Sequence, residues 1–363
     1  LTFGSFHIDI APIIIVAFFT TLLVFGTKIG ARVDGAMTVL KIAIVFFVVI
    51  VGFFYVKASN FTPFIPPSQP ASTVEGSSAV TGVMTQPLWQ FATGMTPSVY
   101  GVPGILSGAA LVFFAFIGFD VVATASEETK NPHKNVPLGI GVGMLLIIVM
   151  YMLVAVVTTG MVSYADLAKQ DSPSLATAFE LVGADWAAKI ISFGIVLGLA
   201  TVVMVLLLGL TRIVFAMSRD GLLPRGLSKT GKHGTPAALQ IVVGAVVALV
   251  AAFFDIGVLS DMVNIGTLSA FTLVAISIPI MRKKRPDLPR AFKMPGSPWI
   301  PILIAVANFW LMLNLSVLTW IRFVVWLVVG FAIYFGYGYW HARLGKGDLT
   351  ETLSAETDKA VNG

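Results

Sequence analysis

Two ionisable residues of this chain stand where a hydrocarbon environment would make them costly. Asp120 follows the apolar run Phe113-Phe114-Ala115-Phe116-Ile117-Gly118-Phe119, and Lys41 lies inside the apolar run from Ala36 to Val56. A carboxylate at mid-membrane costs roughly 2.5–3.5 kcal/mol on insertion scales, so such a residue is a functional-site hypothesis by default. Gly118 weakens the helix at the same point. Non-helical backbone at membrane depth is tolerated only where it is buried or lines a cavity. The combination predicts a helix interrupted near Phe116–Phe119, with released carbonyls and a carboxylate facing an internal binding cavity. The competing reading is a glycine-kinked helix with a structurally paired Asp120.

Lys41 lies eight residues beyond Val33. At 1.5 Å per residue that is on the order of 12 Å deep, too far for comfortable snorkelling to the interface. Desolvation penalises an ammonium, so a lysine there can carry a proton reversibly or imitate a bound cation. A fixed ion pair with Asp120 is the structural alternative. In the span from Ile190, the residues Gly194, Gly198 and Thr201 form a small-residue stripe. Such a stripe lets a second helix approach closely, and the minority reading sets Gly198 and Thr201 beside a cation pocket. The GxxxG patterns at Gly26–Gly30 and Gly139–Gly143 carry helix packing only.

Other chemistries find no support. The four histidines, His7, His133, His233 and His341, fall in loops or at span ends without metal-ligand spacing. The chain has no cysteine, hence no disulfide, thiol nucleophile or Cys-ligated metal. No Ser, His and acid trio and no glycine-rich phosphate cradle occurs, so neither a cofactor nor an intramembrane enzyme is expected.

The elements that must position these groups are membrane helices. Hydrophobic residues make up 57% of the chain and charged ones 11%, with mean hydropathy +0.91. Nine apolar segments approach the roughly 20 residues a bilayer core requires. They run from Ile10 to Gly26, Ala36 to Val56, Gly104 to Ala125, Leu138 to Val162, Ile190 to Thr211, Ala237 to Phe254, Met262 to Met281, Trp299 to Leu318 and Phe323 to Trp340. The ten-residue alternation of a membrane β-barrel is absent. The basic pI of about 9.4 reports topology rather than nucleic acid, because the positive charges sit in short loops. If the first span runs inward, 17 of the 23 lysines and arginines share one side. The positive-inside rule then places Leu1 outside and the C-terminus in the cytoplasm. An odd number of spans behind an external start without Met predicts further helices upstream.

A transmembrane domain over residues 1–344 is thus expected, followed by a disordered cytoplasmic tail over 345–363. It includes the external stretch 57–103, rich in Pro, Ser, Thr and Gly and expected to be loosely packed. The sequon Asn60-Phe61-Thr62 lies in that stretch, and Ser163 to Lys189 is expected to hold a short surface helix. The run Arg282 to Lys293 reads as a topology signal, with anionic-lipid contact as the alternative.

Three motifs carry a resemblance. FFAFIGFDVVATASEETKNPHKNVPLGI, beginning at Phe113, resembles the sixth helix and following loop of amino acid permeases in the amino acid–polyamine–organocation superfamily. The cationic amino acid transporter subfamily and its bacterial relatives are the part it most resembles. LLLGLTRIVFAMSRDGLLP, Leu206 to Pro224, is similar to the end of their eighth helix, and VDGAMTVLKIAIV, Val33 to Val45, to their fifth. The resemblance implies an all-α integral membrane protein with a leucine-transporter-like bundle of inverted repeats. The nine spans would be helices 4 to 12 of twelve. It places the sixth-helix break on Phe114, Ala115, Phe116, Ile117 and Gly118, whose carbonyls would receive the substrate α-ammonium. Phe116 or Phe119 would gate the site, Asp120 would follow the break, and Lys41 would stand where sodium-coupled relatives bind a cation. The function so implied is secondary active amino acid transport at the plasma membrane by alternating access, coupled to protons. Its partners would be an amino acid, protons and membrane lipids. A non-transporting sensor or exchanger subunit of the same fold is the alternative.

Overall fold

The computed structural model describes residues 2–3, 6–7, 10–25, 27–73, 82–124, 129, 131–170, 173–228, 236–287, 294 and 296–342. A short antiparallel pair, β1 (Thr2–Phe3) and β2 (Phe6–His7), precedes α1 (Ile10–Phe25) and α2 (Thr27–Phe53). A second pair joins β3 (Gln69–Pro70) to β4 (Ser98–Val99), with α3 (Leu88–Thr93) between them. Helices α4 (Gly101–Val112), α5 (Phe119–Thr124) and α6 (Pro132–Met161) follow. Two short helices, α7 (Tyr164–Ala168) and α8 (Leu175–Leu181), lead into the long α9 (Asp185–Arg219). The chain then forms α10 (Ala237–Phe253), α11 (Ile256–Lys284), α12 (Trp299–Leu313) and α13 (Val317–Ile333). A π turn over Tyr334–Gly338 and the short α14 (Tyr339–His341) end the described chain.

The architecture is that of an all-α multi-pass membrane protein. Among the described residues, five helices are long and apolar enough to cross a membrane, and four shorter apolar helices accompany them. These nine helices correspond one to one with the nine apolar segments. Large apolar side chains such as Ile14, Phe18, Leu145, Phe193 and Trp326 are exposed, as expected of helices solvated by lipid rather than water.

The chain divides into two compact units. The first comprises Leu1–Ala36, Leu199–Phe254 and Val324–Gly363. Val16, Phe19 and Leu23, one face of α1 at helical spacing, pack with Met204 and Leu207 of α9 and Leu239 and Val243 of α10. Gly244 lets α10 approach α1, because a Cβ there would run into Thr20.

The second unit comprises Met37–Gly198 and Asp255–Phe323. One of its cores joins Val48 of α2, Val157 and Met161 of α6, Phe179 of α8 and Ile191 of α9. The other joins Ala110 of α4, Ile265 and Leu268 of α11, Met312 of α12 and Leu315. α6 starts where Asn131 adopts the left-handed conformation (φ 50°) and Pro132 takes the first helical turn, a position that lacks a hydrogen-bonded N–H in any case.

Several boundaries differ from those read from hydropathy. The span ending at Leu318 breaks earlier, because Asn314–Ser316 turn the chain and α13 begins at Val317. Arg322, which falls between the segments read as ending at Leu318 and starting at Phe323, therefore lies within α13. Likewise α11 begins at Ile256, capped by the Asp255 carboxylate accepting from the Gly257 N–H at 2.7 Å. Hydropathy marks where apolar residues begin, whereas a helix begins at its cap. The stretch expected to be loosely packed is tied down over residues 82–101. Leu88 N–H donates to Leu315 O, Val317 N–H to Gln86 O, and Leu318 N–H to Met84 O, and Gln90 is fully buried. The sequon asparagine is a tie as well, its amide donating to Gly160 O at 2.8 Å. The expected surface helix in 163–189 is present as α7 and α8. Gly139 and Gly143 have nothing within 4 Å of a built Cβ, so no helix among the described residues packs against that pair. The pair at Gly26–Gly30 lies outside the described side chains, and the tail 345–363 lies outside the described residues.

Candidate functional site

The helix that carries the aromatic run is interrupted. After α4, Phe113–Phe116 tighten into a 3₁₀ turn, with Ile117 N–H donating to Phe114 O at 3.2 Å. Ile117 is extended (φ −66°, ψ 139°), and Gly118 takes φ +121°, a backbone conformation closed to side-chain-bearing residues. The chain re-enters a helix at Phe119. A Cβ on Gly118 would meet nothing within 4 Å, so the break has open space beside it.

Released carbonyls need donors, and one comes from the next helix. Tyr151 of α6 donates its Oη–H to Ala115 O at 2.8 Å. Its ring meets Phe116 edge to face, with centroids 5.0 Å apart. Phe271 of α11 touches both ends of the break, its ring lying 6.2 Å from Phe113 and 5.2 Å from Phe119. The interruption is thus held between α6 and α11 by one hydrogen bond and three ring contacts. Phe114 and Ala115 are exposed, while Phe116, Ile117, Gly118 and Phe119 are half-buried. The Asp120 backbone belongs to α5, but its side chain lies outside the described residues, and with it the expected pair to Lys41.

Lys41 sits at the middle of α2, half-buried. Its aliphatic stem lies over Gly198 of α9, Cγ and Cε being 3.7 and 3.8 Å from where a Cβ would stand. One turn on, Ile44 occupies the space that a side chain at Gly194 would need. The small-residue stripe therefore does two things: Gly194 admits Ile44, and Gly198 leaves a groove for the lysine stem. Thr201, next along the stripe, is buried at 3% exposure.

A second concave region opens at the other end of α4. It encloses about 650 Å³ and includes Phe61, Phe64, Tyr100, Gly104, Ser107, Gly108, Asp261, Asn314 and Ser316 in its walls. Thr319 Oγ1 donates to Asp261 Oδ2 at 3.1 Å, and Arg322 is near enough to act on that carboxylate electrostatically. Asp261 lies within the second turn of α11, a helix hydropathy placed only from Met262 onward. Tyr151, Phe271 and Asn314 were also not singled out from the sequence. A tyrosine hydroxyl in the middle of the apolar run of α6 was the available signal for Tyr151.

The amino acid permease family model matches residues 6–338. The chain belongs to that family. It is 41% identical over 345 residues to the branched-chain amino acid permease BcaP of Bacillus subtilis, covering 94% of this chain and 67% of that one. It is 38% identical over 334 residues to the methylthioribose transporter of Bacillus subtilis, covering 92% and 65%. Against the vacuolar cationic amino acid transporter 4 of Arabidopsis thaliana it is 34% identical over 281 residues, covering 77% and 42%. The chain thus spans about two thirds of the length of the two bacterial relatives. The family and these relatives are permeases and transporters, not enzymes.

Proposed function

We propose that this chain moves amino acids across the plasma membrane by alternating access, driven by protons. The observation that carries the reading is the interrupted helix from Phe113 to Gly118. Backbone carbonyls displaced from the helical ladder beside open space are what would receive an α-ammonium in exchange for their present donors, and a broken helix is how transporters of inverted-repeat design make a midplane site. Phe114 to Phe119 form the substrate-facing segment, with Phe116 or Phe119 as the gate and Asp120 just behind. The nine helices are the fourth to twelfth of a leucine-transporter-like fold, with the first turned outward at its start and the C-terminal tail cytoplasmic. Lys41, at the centre of α2 with its stem in the Gly198 groove, is the proton-coupling group, and Thr201 follows Gly198 along α9.

Apolar amino acids are the first substrates to test, in keeping with the branched-chain permease among the relatives. The methylthioribose transporter, nearly as similar, makes methylthioribose the necessary competitor. The experiment is uptake of labelled L-leucine, L-arginine and methylthioribose by the complete protein in proteoliposomes, with and without an inward proton gradient. Accumulation that vanishes when the gradient is collapsed supports the proposal. Binding or one-for-one exchange without accumulation selects the sensor or exchanger instead. Gradient-driven methylthioribose uptake with no amino acid flux would overturn the substrate class.

A further inference from the structure

We infer that the loop end of the α11–α12 hairpin is a binding site for an anionic phospholipid, whose headgroup phosphate lies on Lys283 and Lys284. The inference rests on the membrane-spanning fold alone, whatever solute the permease carries. Between Arg282 and Lys293 the chain has six cations and a single acid, Asp287. The excess equals the formal net charge of the whole protein, +5, so one short segment concentrates what the rest of the chain balances.

Only part of that charge is used inside the protein. Arg282 is half-buried and donates from Nη2 to Met294 O at 2.9 Å, which ties the returning chain to the end of α11. Arg285 Nε lies 3.5 Å from Asp287 Oδ1. Lys283 and Lys284, in the last turn of α11, are exposed. Among the described residues neither ammonium has an acceptor. The C-terminus of a helix favours cations, and positive residues set topology during insertion. Neither effect gives these two lysines a counter-ion in the folded protein. Their depth does. Trp299, the first residue of α12, is 77% exposed, and a tryptophan at the end of an apolar membrane helix marks headgroup level. At that level phosphate replaces bulk water as the neighbour of a lysine. Towards the membrane interior, Leu273, Ile276 and Ile280 form an exposed apolar stripe on α11, and Trp299, Leu303 and Val306 form one on α12. Two ammonium groups, each with three N–H donors, at the head of apolar stripes match a phosphodiester at the head of two acyl chains. An acidic protein segment or free phosphate would answer the charges and leave the stripes unused.

The complete protein, delipidated in detergent, is titrated with phosphatidylglycerol or phosphatidylcholine, and bound lipid is counted by native mass spectrometry. Phosphatidylglycerol should bind at the lower concentration. A basic residue facing anionic lipid is worth about fivefold in affinity, so Lys283→Gln/Lys284→Gln should raise the phosphatidylglycerol concentration required roughly twenty-fivefold. Lys57→Gln/Lys189→Gln removes the same charge from two other exposed lysines and should shift it by less than about twofold. Lys283→Arg/Lys284→Arg keeps both charges and should bind like wild type, and thermal melts of each variant verify folding. Excess inorganic phosphate and a polyglutamate peptide are then added as competitors, and neither should displace the lipid. Equal binding of phosphatidylcholine, full binding by the Gln pair, or an equal loss in the control pair would overturn the inference. Displacement by inorganic phosphate would reduce the site to a simple anion site, and displacement by polyglutamate would assign the surface to an acidic protein; either result would overturn it too.

Discussion

The hydrogen bond from Tyr151 to Ala115 is the most direct place to test whether the break is a built feature of the permease. Tyr151→Phe deletes the Oη that lies 2.8 Å from Ala115 O and keeps the ring that meets Phe116 at 5.0 Å. Interhelical hydrogen bonds in membrane proteins average about 0.6 kcal/mol and reach about 1.7 kcal/mol. At about 1.4 kcal/mol per tenfold, the intact arrangement should be disfavoured roughly three- to eighteenfold. Complete loss of an unmet carbonyl's solvation would cost more, but the break has open space beside it and water can replace the tyrosine. The aromatic contact, worth about 0.5–1.5 kcal/mol, survives in Phe and is lost in Leu. Initial uptake rates against substrate concentration should therefore show KM rising about three- to eighteenfold for Tyr151→Phe and further for Tyr151→Leu, with maximal rates less affected. Wild-type kinetics for Tyr151→Phe alongside impaired Tyr151→Leu would refute the reasoning, since ring packing alone would then hold the break.

The other expectations concern the same elements. Lys41→Arg keeps a permanent charge and should fold and bind yet lose at least tenfold of gradient-driven accumulation. Lys41→Met keeps much of the stem volume over Gly198 and should also fail to couple; full driven uptake by the Arg variant would mean that the proton travels elsewhere. Gly118→Ala should destabilise by about 1–3 kcal/mol, a purely backbone cost since the added methyl meets nothing; a melting temperature equal to wild type would show that the segment can do without the left-handed residue. Gly194→Ala should cost about 1–3 kcal/mol through the clash with Ile44. Gly198→Ala adds a methyl at ordinary contact distance from Lys41 and should melt like wild type while slowing coupled uptake. Equal melting losses for the two would erase the distinction between a packing glycine and a groove glycine.

Much of this was legible in the residues themselves. An acid and a glycine inside an apolar run are unfavourable for a continuous lipid-facing helix, and the structure breaks the helix at that glycine. Apolar run length located all nine helices because burial in lipid is a property of each segment alone. What depends on two segments meeting was not legible. Tyr151 acts only because α6 passes beside Ala115, and Phe271 because α11 spans both ends of the break. Asn314 matters because its turn faces α4. Hydropathy also misplaced the polar ends of helices, which is why Asp261 and Arg322 read as loop residues. Caps such as Asp255 set those ends through hydrogen bonds to backbone N–H groups, an effect with no hydropathy signature.

α4 is a rigid element that reaches from the Asp261 cavity to the break. Gly104, Ser107 and Gly108 of α4 line the Asp261 cavity, and the break begins where α4 ends, at Phe113. The 12 residues of α4 span about 18 Å, and intrahelical hydrogen bonds make such a rod move as a unit. Anything that draws the first turns of α4 towards Asp261 and Asn314 must therefore also shift Phe113 against Phe271 and Ala115 against Tyr151. The break is where that motion can be absorbed, because the extended Ile117 and the left-handed Gly118 interrupt the helical ladder there. The Asp261 cavity and the break are then coupled through α4, and α11 bears on both through Asp261 and Phe271. Asp261→Asn should therefore change uptake and lose that influence when Gly118→Ala stiffens the hinge.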